Sequence, residues 1–380
     1  MKFTHFVCCT ALVLWSTTAG AAVHRVMPGE SIQAAVDAAA PGDTVKVWPG
    51  DYTETHGGSA AVRITKPLKL IAKSKIKDGV RVRILPGTGN TDGIVIAPVD
   101  PNTDPDIERV VIKGFTVEGF SNNGIWLRHV KRFKVYGNES IDNLENGIWP
   151  TLSANGLVKK NASYGSLDSA MWIEASENVR VIKNELSFSP TGLEVTVSKN
   201  ILMKKNDVHN NTVGVGLYHP NAAGLAPIGG DGDWKLVNNH IHDNNEINTA
   251  PPGSSSAELP PGGGLLLLGV DRVSAKRNLI ENNDFFGIAV VDYCLGFDCN
   301  QNPTAPKGQE GDQYPDDNKF EHNDLLNNAA SPVPFGGLEV FAADITYLTL
   351  DLGHSNCFAK NTPGATTGFI VPPIFAKNCN

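Results

Sequence analysis

The sequence predicts an all-β solenoid, a single-stranded right-handed parallel β-helix of about ten coils with a short capping helix at its N-terminal end. The first observation is a small residue that recurs every 22 or 23 residues, at Gly124, Gly147, Ala170 and Gly192. The second is the alternation of apolar and polar residues after each of these positions, which has the period of a β-strand. A repeat of this length is typical of units that each cover the core of the next.

The same pattern predicts which side chains face the core and where the coils turn. The positions expected to point inward include Ile125, Ile173, Val195 and Leu267. The second half of each coil ends at an asparagine, at Asn138, Asn161, Asn184, Asn206, Asn239, Asn278 and Asn323. Because asparagine tolerates the left-handed backbone and bonds along a stack, one asparagine per coil indicates a ladder at a turn.

Later coils carry long insertions. The small residue recurs at Gly214, Gly264, Gly287 and Gly337, so two intervals of 50 residues must hold extra segments. The insertions are predicted at residues 219–233, 246–263 and 295–318. Loops that interrupt a repetitive scaffold tend to carry specificity, so we expect them to wall one end of a surface groove.

The chain is predicted to contain one leader and one domain. Residues 1–21 have the lysine, the short apolar run and the small residues of a secretory signal peptide, and residues 22–380 form the solenoid. Caps are expected at residues 24–45 and 357–380, the first being an amphipathic helix with Ser31 as its N-cap. We therefore expect a secreted or periplasmic monomer without membrane insertion.

Four cysteines remain once the leader is removed. Cys294 and Cys299 are near enough in sequence to close one loop, and Cys357 and Cys379 would hold the C-terminal tail. An even number of cysteines in an oxidising compartment favours two disulfides over metal ligation. Free thiols are the alternative.

The formal net charge of -8 and the pI near 5.7 argue against a nucleic-acid partner. Such partners are bound through basic charge that neutralises phosphates. Composition thus argues against one class of partner; the polysaccharide or oligosaccharide expected as the partner is predicted from the outward tryptophans described next.

Three tryptophans occupy one outward position on consecutive coils. Trp126, Trp149 and Trp172 each lie two residues after a repeated small residue. Exposed aromatic rings along a groove suit the apolar faces of sugars, so these residues are predicted to bind substrate. Alternatively, the indoles stack on each other or pack beneath the insertions.

Acid–base candidates lie beside the tryptophans. Glu174, Glu194, Tyr218 and His219 follow on successive coils, and Arg128 precedes them. Paired carboxylates are what glycoside hydrolysis requires, whereas a tyrosine or histidine beside a cation such as Arg128 serves the proton abstraction of lyases and epimerases. Each of these groups can equally be a solvated surface residue.

A basic stripe follows the outward positions of the second strand in each coil. It contains Lys134, Lys159, Arg180, Lys204, Lys235 and Lys276. Lys159, Arg180 and Lys204 are predicted to guide an anionic glycan, although outward lysines also prevent unwanted strand pairing.

No cofactor or metal is expected, apart from calcium in the third insertion. Asp312, Asp316 and Asp317 offer carboxylates there, but aspartate also builds solvated turns.

The opening SIQAAVDAAAPGDTVKVWPGDYTE, followed by coils of 22 or 23 residues, resembles the pectin-lyase-like right-handed parallel β-helix superfamily. It is most similar to bacterial secreted β-helix repeat proteins of unassigned function. The resemblance implies the fold over nearly the whole mature chain. The superfamily includes pectate lyases, polygalacturonases, alginate epimerases and non-enzymatic members, and the Asp-Pro-His-Asp stretch of the alginate epimerases is absent.

Two functions follow as hypotheses. In the first, the exported protein binds a polysaccharide, perhaps an acidic one, and cleaves or epimerises it as a lyase, epimerase or hydrolase. In the second, it is a non-catalytic periplasmic or cell-surface accessory protein.

Overall fold

The structure is a computed structural model that describes residues 20–219, 232–296, 298–300, 303–309, 311–349, 355–362, 369–370 and 379. The predicted leader lies almost entirely outside the described residues. So do most of the first insertion and most of the apolar C-terminal segment that was expected to form a cap.

The chain winds into a solenoid in which each coil contributes strands to three parallel sheets, here called sheets I, II and III. Within the described residues, sheet I contains the eleven strands Ala60–Ile64, Asp92–Ile96, Ile125–Arg128, Ile148–Thr151, Ser169–Glu174, Thr191–Thr196, Val213–Tyr218, Gly263–Leu268, Phe286–Val291, Ala343–Leu348 and Phe369–Ile370. Sheet II contains the twelve described strands Val23–Val26, Thr44–Val47, Lys69–Ala72, Val111–Lys113, Lys134–Tyr136, Leu157–Lys159, Arg180–Ile182, Leu202–Lys204, Lys235–Val237, Ser274–Lys276, Lys319–Glu321 and Cys357–Ala359.

Sheet III completes the coils with ten described strands, Gly50–Thr53, Val82–Leu85, Thr116–Glu118, Glu139–Ile141, Ala162–Tyr164, Glu185–Ser187, Asp207–His209, His240–His242, Leu279–Glu281 and Asp324–Leu326. A further short pair joins Ile107–Glu108 to Val130–Lys131. The described helical segments are Ile32–Ala38, Tyr293–Gly296 and the 3-10 turns Ile76–Asp78, Ser255–Glu258 and Leu338–Phe341. The predicted parallel β-helix is therefore confirmed.

One continuous core fills the space between the three sheets. The side chains of Ile125, Ile173, Val195 and Leu267 are fully buried, as the alternation predicted. Their cluster extends from Val26 near the N-terminal end to Tyr347 in the last coils, so every coil buries apolar surface against its neighbours.

The N-terminal cap is the predicted helix Ile32–Ala38. The Ser31 hydroxyl accepts a hydrogen bond from the Ala34 N–H at 3.0 Å, which makes Ser31 the N-cap. The Glu54 carboxylate accepts from the Ile32 N–H at 2.7 Å. Ile32 and Val36 are buried, so the helix covers the open end of the core.

A buried asparagine ladder occupies the corner between sheets II and III. The Asn184 side-chain oxygen accepts from the Asn161 backbone N–H and side-chain amide, both at 3.0 Å. The Asn184 amide donates to the Val158 carbonyl at 3.2 Å and to Asn206 Oδ1 at 3.0 Å. The asparagines do not themselves adopt the left-handed backbone. That conformation falls on the preceding residues, such as Lys183 with a φ of 58°.

The other two corners carry ladders of their own, which the sequence analysis did not predict. Between sheets I and II, backbone N–H groups donate to successive serine hydroxyls, from Val130 to Ser153, Ser153 to Ser176 and Ser176 to Ser198. Between sheets III and I, a similar series contains Ser189, Asn211, Asn244, Asn283 and Asn328. At every corner, buried backbone N–H groups thus donate hydrogen bonds to side chains of the next coil along the solenoid axis.

One repeat position was predicted wrongly. Strand Ala343–Leu348 pairs with Phe286–Val291 so that Asp344 lies opposite Gly287. Gly337 instead precedes the 3-10 turn Leu338–Phe341. The prediction failed because the segment inserted after Gly287 is longer than the 50-residue spacing from Gly287 to Gly337 implied.

Both predicted disulfides are present. Cys294 pairs with Cys299, with their Cα atoms 5.4 Å apart, and Cys357 pairs with Cys379 at 5.3 Å. Disulfides of this kind are compatible with an exported protein. No helix in the described part of the chain is long and apolar enough to cross a membrane.

Replacing Asn184 with alanine is expected to destabilise the solenoid by about 3 kcal/mol, because several buried backbone and amide groups lose their partners. Urea denaturation monitored by circular dichroism measures this. Asn102→Ala, in an exposed turn, is the control and is expected to stay within about 0.5 kcal/mol of the parent. Equal stability of the two variants would contradict a structural role for the ladder.

Candidate functional site

The outer face of sheet I is covered in its C-terminal half, whereas Trp126, Trp149 and Trp172, nearer the N-terminal end, are partly exposed. The covered half is an apolar cluster that includes Tyr218, Leu259, Leu266, Phe286 and Tyr293. Leu259 belongs to the second insertion and Tyr293 adjoins the third, so both insertions pack on this face. That they wall one end of a binding groove stays a prediction.

Trp126, Trp149 and Trp172 form a stack on the outer face of sheet I, which is the arrangement that the sequence analysis gave as the alternative to sugar binding. The ring centroids of Trp126 and Trp149 lie 5.0 Å apart with 8° between their planes. Those of Trp149 and Trp172 lie 5.3 Å apart with 6° between their planes. The stack follows from the parallel register, which places Trp126 opposite Trp149.

This geometry corrects the expected role of the indole faces. Both faces of Trp149 are covered by the neighbouring indoles, so a sugar ring has no space to stack between them. The exposed part of the ladder consists of ring edges. The sequence pattern gave the spacing of the rings but not their tilt, which packing in successive coils decides.

Glu174 lies next to this ladder and is only 2% exposed. Its Oε2 accepts hydrogen bonds from Trp149 Nε1 at 3.0 Å and from the Thr151 hydroxyl at 3.0 Å. Burial raises the pKa of Glu174 to about 7, although the two hydrogen bonds oppose the shift. A carboxyl with such a pKa can give or take a proton near neutral pH.

Glu194 continues the column of Trp172 onto the next strand. It is 7% exposed, and its Oε2 accepts from the Ser169 hydroxyl at 2.5 Å. Burial raises the pKa of Glu194 well above its ordinary value, and the negative charges of Asp168 and Glu174 add to the shift. Glu174 and Glu194 are therefore brought together, as predicted.

Two acidic residues of this group were missed by the sequence analysis. Burial raises the pKa of Asp168, whose Oδ1 accepts from the Ser256 hydroxyl of the second insertion at 2.5 Å. Burial and the charge of Asp168 raise the pKa of Glu145. Both residues lie two positions before a repeated small residue, Ala170 or Gly147. Inspecting the positions before each repeated residue, and not only those after it, would have found them.

Tyr218 closes the end of the ladder. Its ring lies over Gly216, where any Cβ would collide with the phenol, and its hydroxyl is 3.5 Å from that of Thr191. Burial and the charge of Glu194 raise the pKa of Tyr218. Tyr218 thus joins the acidic group, as predicted, in its neutral form.

His219 does not join this group. It is 1% exposed, its Nε2 lies 2.9 Å from the Gly311 carbonyl, and its ring packs against Tyr293 at 4.5 Å. Burial lowers its pKa. The chain leaves sheet I after Tyr218, so the predicted catalytic imidazole is held beneath the third insertion instead.

Arg128 lies in the same outward column as Thr151 and Glu174, two strands away from Glu174. Its charge lowers the pKa of Glu174, although it is the last of the contributions. Arg128 Nε is buried and has no hydrogen-bond partner. Arg128 thus lies in the same column as Glu174, and its catalytic role stays a prediction.

The basic residues Lys159, Arg180 and Lys204 lie on sheet II, where Lys159 and Lys204 lie in one column on either side of Ile182 and Arg180 lies in a different column. The serine corner separates this sheet from sheet I, which carries the tryptophans. The basic residues and the tryptophans thus lie on different sheets, and guidance of a glycan by the basic residues stays a prediction.

The structure describes contacts of the aspartates that were considered as calcium ligands, and calcium binding stays a prediction. The Asp312 carboxylate accepts from the backbone N–H of Tyr314 at 2.8 Å and from that of Gly308 at 2.5 Å. Asp317 has a left-handed backbone and is exposed. Asp312 therefore shapes a turn within the third insertion.

Comparison with known proteins supports the fold. A family model described as "Right handed beta helix region" matches residues 71–226. Together with the three parallel sheets, this match shows a right-handed parallel β-helix. No curated protein sequence matches the chain.

Solved structures with the same fold have distant sequences. The A-module of mannuronan C-5 epimerase AlgE4 from Azotobacter vinelandii is similar, with a TM-score of 0.57 and 15% identity over 88% of this chain and 90% of that one. DFA-IIIase from Arthrobacter chlorophenolicus A6, in complex with GF2, has a TM-score of 0.50 and 14% identity over 84% of each chain. The Dettilon tailspike protein gp208 has a TM-score of 0.50 and 14% identity over 90% of this chain and 58% of that one.

Glu174→Gln is expected to change how stability depends on pH. Because the pKa of Glu174 is about 7 in the folded protein and near 4.5 when unfolded, the unfolded chain loses this proton first as pH rises. Below about pH 4.5 the protonated carboxyl makes its full contribution to the free energy of unfolding. Between about pH 4.5 and pH 7 this contribution falls, by at most about 3 kcal/mol in total.

Thermal melting of the parent and of Glu174→Gln between pH 4 and 8 measures this difference. The variant is expected to match the parent at low pH and to gain on it as pH rises. Exposed Glu258→Gln is the control. Parallel melting curves of the parent and Glu174→Gln at every pH would contradict the raised pKa.

Proposed function

We propose that the outer face of sheet I binds a polysaccharide and cleaves it by acid–base chemistry. The observation that carries this proposal is the group of carboxyls with raised pKa values at the closed end of the tryptophan ladder. Carboxyls tuned toward neutral pH are typical of general acids in enzymes. The names of the AlgE4 epimerase and its substrate mannuronan support a polysaccharide as the ligand of this fold.

The environments of the carboxyls assign their roles. Glu194 is the more deeply shielded acid, so it keeps its proton and donates it to the glycosidic oxygen. Asp168 is less deeply buried than Glu194 and lies beside the second insertion, so it ionises more readily and acts as the base or nucleophile. Paired carboxyls with different proton affinities are the requirement of glycoside hydrolysis. Glu174 positions Trp149 and Thr151 through its two hydrogen bonds.

The charge of the site favours a neutral glycan over an acidic one. The negative charge of Asp168 raises the pKa values of Glu145, Glu174 and Glu194, so these carboxyls lie near one another, and Arg128 is the cation among the residues placed in the site. A uronate carboxylate would be repelled by ionised members of this group. Hydrolysis therefore fits the site better than the lyase or epimerase chemistry of uronates.

A second function is supported by one observation. Glu174 accepts two hydrogen bonds and Glu194 accepts one from Ser169, so both carboxyls have partners without any ligand. In a non-catalytic accessory or cell-surface protein, the same contacts would tie together successive coils.

Glu194→Gln is expected to reduce hydrolysis by about 100-fold to 10,000-fold, the contribution of general acid catalysis, while glycan binding stays near that of the parent. The assay incubates the protein with neutral glucans, galactans and fructans and with alginate and pectate. New reducing ends report hydrolysis, and ultraviolet absorbance reports unsaturated products of a lyase. Asp168→Asn is expected to behave alike, and Glu258→Gln is the control. Equal turnover in Glu194→Gln would exclude it as the acid.

Trp149→Ala separates the two functions. Removing the central indole is expected to lower stability by about 2 to 4 kcal/mol in either case, because it is stacked on both faces. If a glycan lies along the ladder, calorimetry will also show binding weakened by about 1 to 3 kcal/mol. Trp48→Ala, at the N-terminal end, is the control. Absence of binding to every glycan by the folded parent would leave the accessory function.

A further inference from the structure

A cluster of histidines and carboxylates lies on the outer face of sheet III, away from the tryptophan ladder. Strand Asp207–His209 pairs with strand His240–His242, and Asp207 lies directly opposite His240. His240 and His242 are two residues apart on one strand, so both side chains point to the same side of the sheet. The sequence alone shows only scattered histidines, because an insertion separates Asp207 from these partners.

The ligand atoms of this cluster converge. Asp207 Oδ1 lies 3.0 Å from His242 Nε2 and 3.5 Å from His240 Nδ1. One possible ligand atom from each of the three residues lies within 4.8 Å of the others. Zn²⁺ binds nitrogen and oxygen at about 2.0 to 2.2 Å, so neighbouring ligand atoms in a tetrahedral site are roughly 3.0 to 3.5 Å apart. Asp207 already has this separation from both imidazoles.

The second ring nitrogen of each imidazole, which does not face Asp207, also lies near a carboxylate. His240 Nε2 lies 2.8 Å from Glu281 Oε1, and His242 Nδ1 lies 2.6 Å from Asp243 Oδ2. Metal-binding histidines usually donate their second N–H to such a carboxylate, which fixes the ring and makes the ligand nitrogen more basic. Both histidines of this cluster have that arrangement.

The two imidazole rings also support each other. His240 and His242 are stacked with their ring centroids 3.8 Å apart, so each ring limits the movement of the other beside Asp207.

We propose that Asp207, His240 and His242 bind a divalent transition-metal ion, with Zn²⁺ as the reference ion and one coordination position open to solvent. Imidazole and carboxylate ligands suit Zn²⁺, Cu²⁺ and Ni²⁺ better than Ca²⁺. The side chains of Asp207, His240 and His242 are 52%, 37% and 20% exposed, so an ion reaches them from solvent. The bound ion also joins two successive coils.

Calorimetric titration of ZnCl₂ into the untagged protein, after stripping with EDTA, tests the proposal. We expect one Zn²⁺ per chain, and loss of binding in Asp207→Asn and His242→Gln. Glu281→Gln keeps all three ligands and is expected to bind about 10-fold to 100-fold more weakly. His56→Gln, near the N-terminal end, removes a histidine outside the cluster and should bind as the parent does.

Two further measurements separate metal binding from simple ion pairing. Co²⁺ bound by imidazole and carboxylate in a four-coordinate site gives strong visible absorption, which His242→Gln should abolish. Saturating Zn²⁺ should raise the melting temperature of the parent and of His56→Gln but not that of Asp207→Asn. The proposal is overturned if the parent takes up no Zn²⁺ at one per chain. It is also overturned if folded Asp207→Asn and His242→Gln bind Zn²⁺ as tightly as the parent.

Discussion

Buried N–H groups at the corners of each coil point toward the next coil, and the side-chain ladders satisfy them. In the asparagine ladder, Asn184 both accepts from Asn161 and donates to Asn206, so each rung depends on the coils on either side. A shift of one residue would leave these groups without partners in a dry interior. The ladders therefore fix the register, and the register decides which outward side chains become neighbours.

That register stacks like residues on like, with opposite consequences for different side chains. Repetition of tryptophan at one position gives the indole stack, which is favourable. Repetition of acidic residues at nearby positions collects Asp168, Glu174 and Glu194, whose mutual repulsion and burial are unfavourable. The unfavourable free energy of the charged carboxylates appears as their raised pKa values.

The outer faces of sheets I and III differ in how far the insertions cover them. On sheet I the insertions cover half of the surface and supply Ser256 to the acidic group, so the proposed glycan site is partly enclosed. On sheet III the strands carrying Asp207 and His240 remain open, and the ligand cluster rests on strand geometry alone. A rigid solenoid holds both sets of side chains in place without large rearrangement.

The sequence by itself determined the solenoid, the inward residues, the capping helix and the tryptophan column, because each follows from local periodicity or spacing. Only the tertiary structure decided the cysteine pairing, the tilt of the indoles, the position of His219 beneath an insertion and the placement of Lys159 on a different sheet from the tryptophans. It also brought Asp207 to His240 across 33 residues of sequence. These outcomes depend on corner geometry and on where insertions fold back, and no repeat in the sequence encodes either.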